Sequence, residues 1–333
     1  MTGLRWGILA TGGIAHAFAS DLRTAGLDLV AVGSRSQASA DAFAEKFGIA
    51  RAHGSYESLV ADPDVDIVYV ATPHPMHHAD ARLALENGKH VLVEKAFTVN
   101  RAEADDLQRL AAERGLMAME AMWTRYLPHM VRIREILAAG ALGEIRAVMA
   151  DHTQLLPSDP AHRLNALELG GGALLDLGIY PLSFVWDVLG APVSVQASAR
   201  LIETGADAEI ATVMTHAGGA VSTTLSSSRA AGPNTATIIG TEARIEIDRV
   251  WYCPTGFRLV GPDGEVRESY ESHVEGRGMQ YQAFAAEGAV LHGDPAGGSL
   301  ALPISESVAI MGLLDEIRTQ IGVRYPSEVS SDD

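Results

Sequence analysis

A carboxylate and a phenol occur in an apolar segment that reads Gly-Ala-Leu-Leu-Asp-Leu-Gly-Ile-Tyr over residues 172–180. If residues 173–189 form a helix, Asp176 and Tyr180 project from one face, because side chains four residues apart are neighbours on a helix. Lys95 ends an apolar run far upstream and is expected to bring a cation to this pair. Aspartate, tyrosine and lysine within hydrogen-bond reach can move a proton on and off a sugar-like hydroxyl, since the ammonium favours the tyrosinate form. This chemistry also requires a hydride acceptor.

The first part of the chain alternates short β-rich runs with helix-like stretches, which is typical of a doubly wound parallel sheet. This pattern predicts a Rossmann domain over residues 1–122. Its predicted strands are 4–10, 29–34, 67–71, 90–93 and 116–121, and its predicted helices are 14–25, 38–47, 77–87 and 101–114. A glycine follows each of these helices as a C-terminal stop, namely Gly26, Gly48, Gly88 and Gly115.

After a predicted helix at 127–139, short strands separated by Gly, Asp and Pro turns predict a largely antiparallel open sheet. The predicted strands are 145–151, 193–201, 210–215, 220–225, 235–239 and 244–247. Helices are predicted at 173–189, 279–291 and 305–321, and the polar tail 327–333 is expected to fray. The fold class is therefore α/β plus α+β, with residues 123–333 as a substrate-binding and oligomerisation domain whose C-terminal helix is able to pack back on the first domain.

The first strand leads into a turn and helix that resemble a dinucleotide-binding fingerprint. Against Gly-x-Gly-x-x-Gly, the sequence has alanines at the first and third glycine positions and keeps Gly12 at the second, where the backbone approaches a pyrophosphate. A helix N-terminus at this point would direct unpaired N–H groups at that group. The alternative is a glycine-rich turn that binds nothing. The predicted cofactor contacts here are Ala10, Thr11, Gly12, Gly13 and Ile14.

The second strand ends in Ser34-Arg35-Ser36, where NAD enzymes usually carry an acid that binds the ribose 2′-hydroxyl. An arginine flanked by two serines favours a 2′-phosphate instead, because guanidinium groups pair well with phosphate. The sequence therefore predicts NADP, with NAD less favoured. An exposed turn arginine is the alternative.

Two further segments follow strands at the carboxyl edge of the predicted sheet, where ligands bind in open α/β folds. One contains Thr72, Pro73, His74 and His77, and the other contains Glu94 with Lys95. These residues are predicted to contact the cofactor.

With these motifs in place, the whole chain resembles the Gfo/Idh/MocA oxidoreductase family. Residues 120–128 and 174–181 look most like its branch of dimeric dihydrodiol dehydrogenases and NADP-dependent D-xylose dehydrogenases. The resemblance implies that Lys95 matches the catalytic lysine of a Glu-Lys-Pro motif and that Tyr180 matches the proton carrier. It also implies that Asp176 orients the substrate and that His77 matches the histidine of a Thr-Pro-Asn-x-x-His element, in which His74 replaces the asparagine.

Ala96 stands where the family usually has proline. A cis bond before a non-proline residue costs about 2.5–4 kcal/mol, so the sequence leaves both a cis and a trans Lys95–Ala96 bond open. Trp123, Arg125 and Arg163 are candidate substrate contacts, with packing or surface roles as the alternative.

Two of these features have other readings. Tyr180 has the alternative of a core phenol whose hydroxyl is satisfied. The cluster His74, His77 and His78 has no further ligands that would complete a metal site, so no metal is predicted.

Bulk properties limit the partners. The chain has 333 residues, 47% hydrophobic, and a net charge of −17, which argues against binding nucleic acid or an anionic membrane. No apolar run approaches the roughly 18 residues of a membrane span, and the single cysteine, Cys253, fits a reducing compartment. We therefore expect a cytoplasmic protein, and the resemblance implies a homodimer or homotetramer.

The sequence as a whole predicts an NADP(H)-dependent dehydrogenase or reductase that acts on a sugar-like or vicinal-diol substrate. Two alternatives share the fold and stay open: a non-catalytic dinucleotide-sensing regulator, and a glycosidase that uses transient oxidation.

Overall fold

The computed structural model describes residues 3–328, apart from the side chain of Ser327. Most of the tail that was expected to fray, residues 329–333, lies outside the described residues. The chain divides into two compact units: the first runs to Tyr126 and also contains Glu275–Met311, and the second contains Leu127–Val274 and the chain from Gly312 onward. The sequence-based division after residue 122 did not separate the segment 275–311 from its neighbours.

The first unit is built on a six-stranded sheet in the order β3-β2-β1-β4-β5-β6, with every neighbouring pair parallel. The doubly wound prediction is confirmed. Its elements are β1 Trp6–Leu9, α1 Gly13–Thr24, β2 Leu29–Gly33, α2 Gln37–Phe47, β3 Arg51–His53, α3 Tyr56–Val60, β4 Ile67–Val70, α4 His77–Glu86, β5 His90–Val93, α5 Arg101–Arg114 and β6 Ala118–Glu120.

In this unit a glycine follows the end of each predicted helix. Gly26, Gly48, Gly88 and Gly115 all have φ between 63° and 75°, a left-handed conformation that glycine adopts at little cost. The sequence analysis missed β3 and α3, because three and five residues are too few to show a period.

The second unit carries an eight-stranded sheet in the order β14-β13-β12-β11-β7-β10-β9-β8. Within the described residues, only the β7–β10 pair is parallel, so the largely antiparallel prediction is confirmed. The elements are α6 Pro128–Ala138, β7 Ile145–Thr153, α7 Ile179–Leu189, β8 Pro192–Leu201, β9 Asp207–His216, β10 Val221–Ser227, β11 Ala236–Gly240, β12 Arg244–Ile247, β13 Phe257–Val260 and β14 Val266–Tyr270. The sequence analysis missed β13 and β14.

Two helices complete the chain, α8 Gln280–Leu291 and α9 Ile304–Ile321. Helix α8 lies in the first unit, whereas α9 begins in the first unit and ends in the second. The segment Leu167–Leu189 is long and apolar enough to cross a membrane by length and composition, and 67% of its most apolar window is buried inside the protein. Core helices of globular proteins share these properties.

Candidate active site

The N-terminal turn leaves the start of helix α1 open. Gly12 is the N-cap residue, no side chain caps the helix, and no acidic residue lies in its first turn. A Cβ added at Gly12 or Gly13 would meet no atom within 4 Å. Ala10 has φ of 86°, the conformation for which a glycine is usual at the first fingerprint position. Together with half-buried Thr11 and Ile14, these residues form a cradle that fits a pyrophosphate.

At the end of β2, Ser34 is buried, whereas Arg35 and Ser36 are exposed. Arg35 lies near Tyr56, whose pKa is raised by burial, and the guanidinium opposes that increase. Arg35 also lies near Asp80, whose pKa is raised by burial and lowered by this guanidinium. The strand end therefore presents an exposed arginine beside a phenol that the sequence analysis did not identify.

The peptide bond between Lys95 and Ala96, whose isomer the sequence left open, is cis. Side chains from the segment after β4 hold this turn. His74 Nε2 lies 3.1 Å from the Lys95 carbonyl oxygen, and His77 Nδ1 lies 2.9 Å from the Ala96 carbonyl oxygen. Lys95 itself is half-buried.

His77 is 1% exposed, and its Nε2 lies 2.8 Å from the Thr72 carbonyl oxygen. Burial lowers the pKa of His77 to about 4, so the ring is neutral at neutral pH. A neutral ring carries one N–H, which it donates to one of these two carbonyl oxygens at a time. Thr72 is buried, whereas Pro73 is exposed. The geometry gives His77 a bracing function between Thr72 and the turn that follows Lys95.

Glu94 is directed into the protein interior. It is 5% exposed and accepts a hydrogen bond from the Tyr69 hydroxyl. Burial raises its pKa, and the neighbouring Lys95 opposes that increase. This contact places the Glu94 carboxylate against Tyr69, which favours a structural function for this side chain, and its contact with the cofactor stays a prediction.

The Arg125 side chain is buried and paired with neighbouring groups. It is 3% exposed, and its guanidinium donates to Glu306 Oε1 at 2.5 Å and to the Ala301 carbonyl oxygen at 3.2 Å. A buried, paired guanidinium favours the packing alternative for Arg125, and its contact with substrate stays a prediction.

Trp123 is also 3% exposed, and the guanidinium carbon of Arg277 lies 5.6 Å from the centre of its ring. The Asp21 carboxylate fixes the Arg277 loop by accepting the backbone N–H groups of Arg277 and Met279 at 3.1 and 2.8 Å. Arg277 is exposed and was missed by the sequence analysis. The only local signal was the pair of glycines that flank it.

In the second unit, Asp176 lies in a π-helical turn, Leu174–Gly178, that continues into α7. The expectation of one regular α-helix from residue 173 was wrong over these five residues. The four-residue spacing to Tyr180 therefore crosses a change of helix type, a feature that is frequent at functional sites. Arg163 Nη1 lies 3.3 Å from Asp176 Oδ1, which brings two predicted site residues together.

An aspartate on strand β9 caps the π-helical turn. Asp207, at the start of β9, is 1% exposed and accepts the Leu174 N–H at 2.6 Å. Gly172 has φ of 136°, and a Cβ there would lie 2.2 Å from Asp207 Oδ1. The glycine is therefore required for the carboxylate to reach the helix.

The buried Asp207 carboxyl is expected to make the free energy of unfolding depend on pH. Burial raises its pKa from 3.8 to about 6, so between these values the folded state retains a proton that the unfolded chain has released. The unfolding free energy should then fall as pH rises through this interval. The Asp207→Asn variant, which keeps an acceptor for Leu174, should lose this part of the pH dependence. Arg318 and Tyr325 are the charged and titratable groups near this carboxyl.

Denaturant unfolding of both proteins at several pH values checks this expectation. The exposed Asp248→Asn substitution is the control and should leave the pH dependence unchanged. A wild-type curve parallel to that of Asp207→Asn between about pH 4 and pH 6 would contradict it.

Tyr180 is 8% exposed and packs in an aromatic cluster. Its ring centre lies 4.8 Å from that of His152 and 5.5 Å from that of Tyr252, and these two rings stack on each other at 3.8 Å. Gln154 Nε2 lies 3.4 Å from the Tyr252 hydroxyl, and burial raises the pKa of Tyr252 to about 12. Sequence reasoning missed His152 and Tyr252, since neither belongs to a motif.

The structure thus groups the predicted residues by unit. The cradle, Arg35 and the braced Lys95 belong to the first unit, whereas Arg163, Asp176 and Tyr180 belong to the second. Among residues 3–328, no group of three or more His, Cys, Asp or Glu side chains is arranged to hold a metal ion. His78 instead pairs with Asp106 at 2.9 Å.

Comparison with known proteins identifies the family. Residues 4–122 match the model described as "Oxidoreductase family, NAD-binding Rossmann fold", and residues 130–246 match the "GFO/IDH/MocA C-terminal domain". The chain belongs to the Gfo/Idh/MocA oxidoreductase family. The predicted family, fold class and class of enzyme, an NAD(P)-dependent dehydrogenase, are confirmed.

Members of the Gfo/Idh/MocA family similar to this chain include two named dehydrogenases. Trans-1,2-dihydrobenzene-1,2-diol dehydrogenase from Mus musculus is 36% identical, over 98% of this chain and 99% of the relative. D-xylose 1-dehydrogenase (NADP(+)) from Hypocrea jecorina is 37% identical, over 99% and 95%. Among solved structures, a 3-ketoreductase from Actinomadura kijaniata in complex with NADP and TDP-benzene superposes with a TM-score of 0.83 at 28% identity, covering 96% of this chain and 98% of its own.

Proposed function

We propose that this protein is an NADP(H)-dependent oxidoreductase that interconverts a secondary alcohol or hemiacetal with the corresponding carbonyl compound in a sugar-like or vicinal-diol substrate. The observation that carries the proposal is the helix segment with Asp176 and Tyr180, in which Arg163 contacts the Asp176 carboxylate, in a chain that also keeps the family's lysine at Lys95. The printed names of its relatives support the substrate class, since they specify a vicinal diol and D-xylose.

The first unit would hold the cofactor through the uncapped start of α1 and through Arg35. Backbone N–H groups near Gly12 and Gly13 would bind the pyrophosphate, and the exposed Arg35 guanidinium would bind the 2′-phosphate. When bound, NADP(H) accepts or donates the hydride. A relative named for NADP and a solved relative that contains NADP support this cofactor choice.

The proton would be handled by Tyr180, which takes it from the substrate hydroxyl during oxidation and returns it during reduction. Asp176 would orient that hydroxyl, and its contact with Arg163 would hold the carboxylate in one direction. Lys95 would supply a positive charge that favours the oxyanion and lowers the pKa of the acid–base group. The structure braces Lys95 through the carbonyl oxygens of its own turn.

A panel of pentoses, hexoses, anhydrosugars and diols tests the function, with NADP⁺ and NAD⁺ each supplied and the reduced nicotinamide followed by absorbance. Reduction of NADP⁺ by at least one sugar or diol is the expected result. NADPH binding without turnover on the whole panel would instead favour a dinucleotide-sensing regulator. Glycoside cleavage without net NADP⁺ reduction would favour a glycosidase.

Replacing Arg35 with alanine should weaken NADP⁺ binding by about one to two decades and change NAD⁺ binding far less, because a charge-assisted bond to phosphate contributes about 1.5–3 kcal/mol. Fluorescence titration of both cofactors measures this. Arg114→Ala, an equal charge change at the C-terminal end of α5, is the control and should leave both affinities unchanged. Equal binding of NADP⁺ and NAD⁺ by the wild type would contradict the assignment.

A cytoplasmic location and a dimeric or tetrameric state stay predictions. Small sugar-like molecules are the proposed binding partners, and neither nucleic acid nor membrane is proposed.

A further inference from the structure

A buried glutamate lies behind the turn that carries Lys95. Glu120 ends strand β6 and is 1% exposed. Its Oε1 accepts the backbone N–H of Phe97, two residues after Lys95, at 3.2 Å. Glu120 begins the segment 120–128 that carries the family resemblance, but the sequence analysis gave it no function and the proposed chemistry does not use it.

Strand pairing places this carboxyl beside the turn. In the register of β5 and β6, Val93 lies opposite Glu120, and the Ala121 N–H donates to the Val93 carbonyl oxygen at 2.7 Å. After Val93 the chain leaves the sheet, so the Phe97 N–H has no strand partner there. The Glu120 side chain takes that place as the acceptor. Ala96 and Phe97 are fully buried, where an unmade backbone hydrogen bond is costly.

A carboxyl group buried at this position lowers the stability of the folded protein. The ends of buried parallel strands are usually apolar, and a carboxylate buried without partners is strongly destabilising. Burial raises the pKa of Glu120 to about 7. The Ser307 hydroxyl, the Arg125 guanidinium and the Phe97 N–H favour its ionised form, whereas Glu94 opposes it. Among the hydrogen bonds described for residues 3–328, the one from the Phe97 N–H connects Glu120 to the turn that carries Lys95, and this link is a function that can offset the cost of burial.

Glu120 adds a third side-chain contact to the turn that carries Lys95. His74 and His77 contact the carbonyl oxygens of Lys95 and Ala96, and Glu120 accepts the next N–H along the chain. Three side chains from two strand ends thus fix both sides of one turn. Arg125, which pairs with Glu306, supplies a positive charge near Glu120.

We propose that Glu120 is a positioning residue for Lys95, which it holds in place through the amide of Phe97. The inference rests on the proposed function of Lys95. Both the protonated and the ionised carboxyl offer an acceptor oxygen to that amide, so the contact persists across neutral pH. An amide side chain offers the same acceptor, whereas a thioether side chain does not.

Three variants test the proposal. Glu120→Met removes the acceptor and should lower kcat by about 10- to 100-fold, the cost of a small misplacement of a reacting group, with little change in the Kd of NADP⁺. Glu120→Gln keeps the acceptor and should restore most of kcat. Ser307→Ala removes a neighbour of the same carboxyl without touching the turn and should resemble the wild type. A folded Glu120→Met protein with wild-type kcat would overturn the proposal.

A second readout does not depend on turnover. The rate at which acetic anhydride labels the Lys95 amine, measured by peptide mass spectrometry, should change about threefold or more in Glu120→Met and stay near the wild-type rate in Glu120→Gln and Ser307→Ala. Equal rates in all four proteins would overturn the link to Lys95. If the wild type oxidised no substrate on the panel, the proposed function would fail, while this labelling would still decide the structural link.

If Glu120→Met does not fold, hydrogen exchange of the wild-type protein tests the contact between Glu120 and the Phe97 amide. The Phe97 amide is expected to exchange as slowly as the amides of strand β5. Exchange at the rate of an exposed turn would overturn the proposal.

Discussion

Replacing Tyr180 with phenylalanine is expected to lower turnover by about two to four decades and to leave NADPH binding nearly unchanged. The substitution removes one oxygen and keeps the ring, so the contacts with His152 and Tyr252 should remain. Steady-state kinetics on the best substrate of the panel measures turnover, and fluorescence titration measures NADPH affinity. A deuteride isotope effect shows whether the chemical step limits the rate.

Tyr252 provides a matched control for this expectation. It is as buried as Tyr180, at 8% exposure, and burial raises its pKa to about 12, which makes it a poor proton acceptor near neutral pH. Tyr252→Phe should therefore cost far less turnover than Tyr180→Phe. Near-wild-type turnover of Tyr180→Phe with chemistry rate-limiting would contradict the assignment, and a large loss in Tyr252→Phe would then transfer the function to Tyr252.

The substitution Lys95→Met is expected to be at least as damaging as Tyr180→Phe. It removes the charge that favours the oxyanion and keeps a side chain of similar length, so the loss should appear in kcat by about two decades or more. Thermal unfolding should change little, because Lys95 is half-buried and its turn is held through backbone carbonyl groups.

The control for Lys95 is Lys46→Met, an equal charge change at an exposed position in α2. It should retain wild-type kinetics. Lys95→Arg separates charge from shape, since guanidinium and ammonium groups differ in geometry, and only partial recovery is expected. Full activity of Lys95→Met would show that no cation is needed at this position.

Much of the fold could be predicted because its signals are local. The alternation of strands and helices and the glycines after each helix predicted the parallel sheet, and the helix boundaries at Arg101–Arg114 agree with the structure. The missed strands have local reasons. β3 has three residues and β14 is largely exposed, so neither shows a clear apolar period.

The candidate site was less predictable, because its supporting groups come from distant parts of the chain. Asp207 caps a helix that begins 33 residues earlier, and Asp21 fixes a loop 256 residues later. No short motif reports such pairings. Glu94 and Arg125 were predicted to contact ligands because they belong to family-like segments, but their side chains contact Tyr69 and Glu306.

The most direct test of the central proposal is deuterium transfer. The wild type is incubated with NADPH that carries deuterium at the reactive carbon of the nicotinamide and with the ketone or aldehyde form of the best substrate, and the product is analysed by mass spectrometry. The account expects one deuterium on the new carbinol carbon, with transfer slowed by about two decades or more in Tyr180→Phe. Bound NADPH that yields no deuterated product from any sugar or diol of the panel would contradict it.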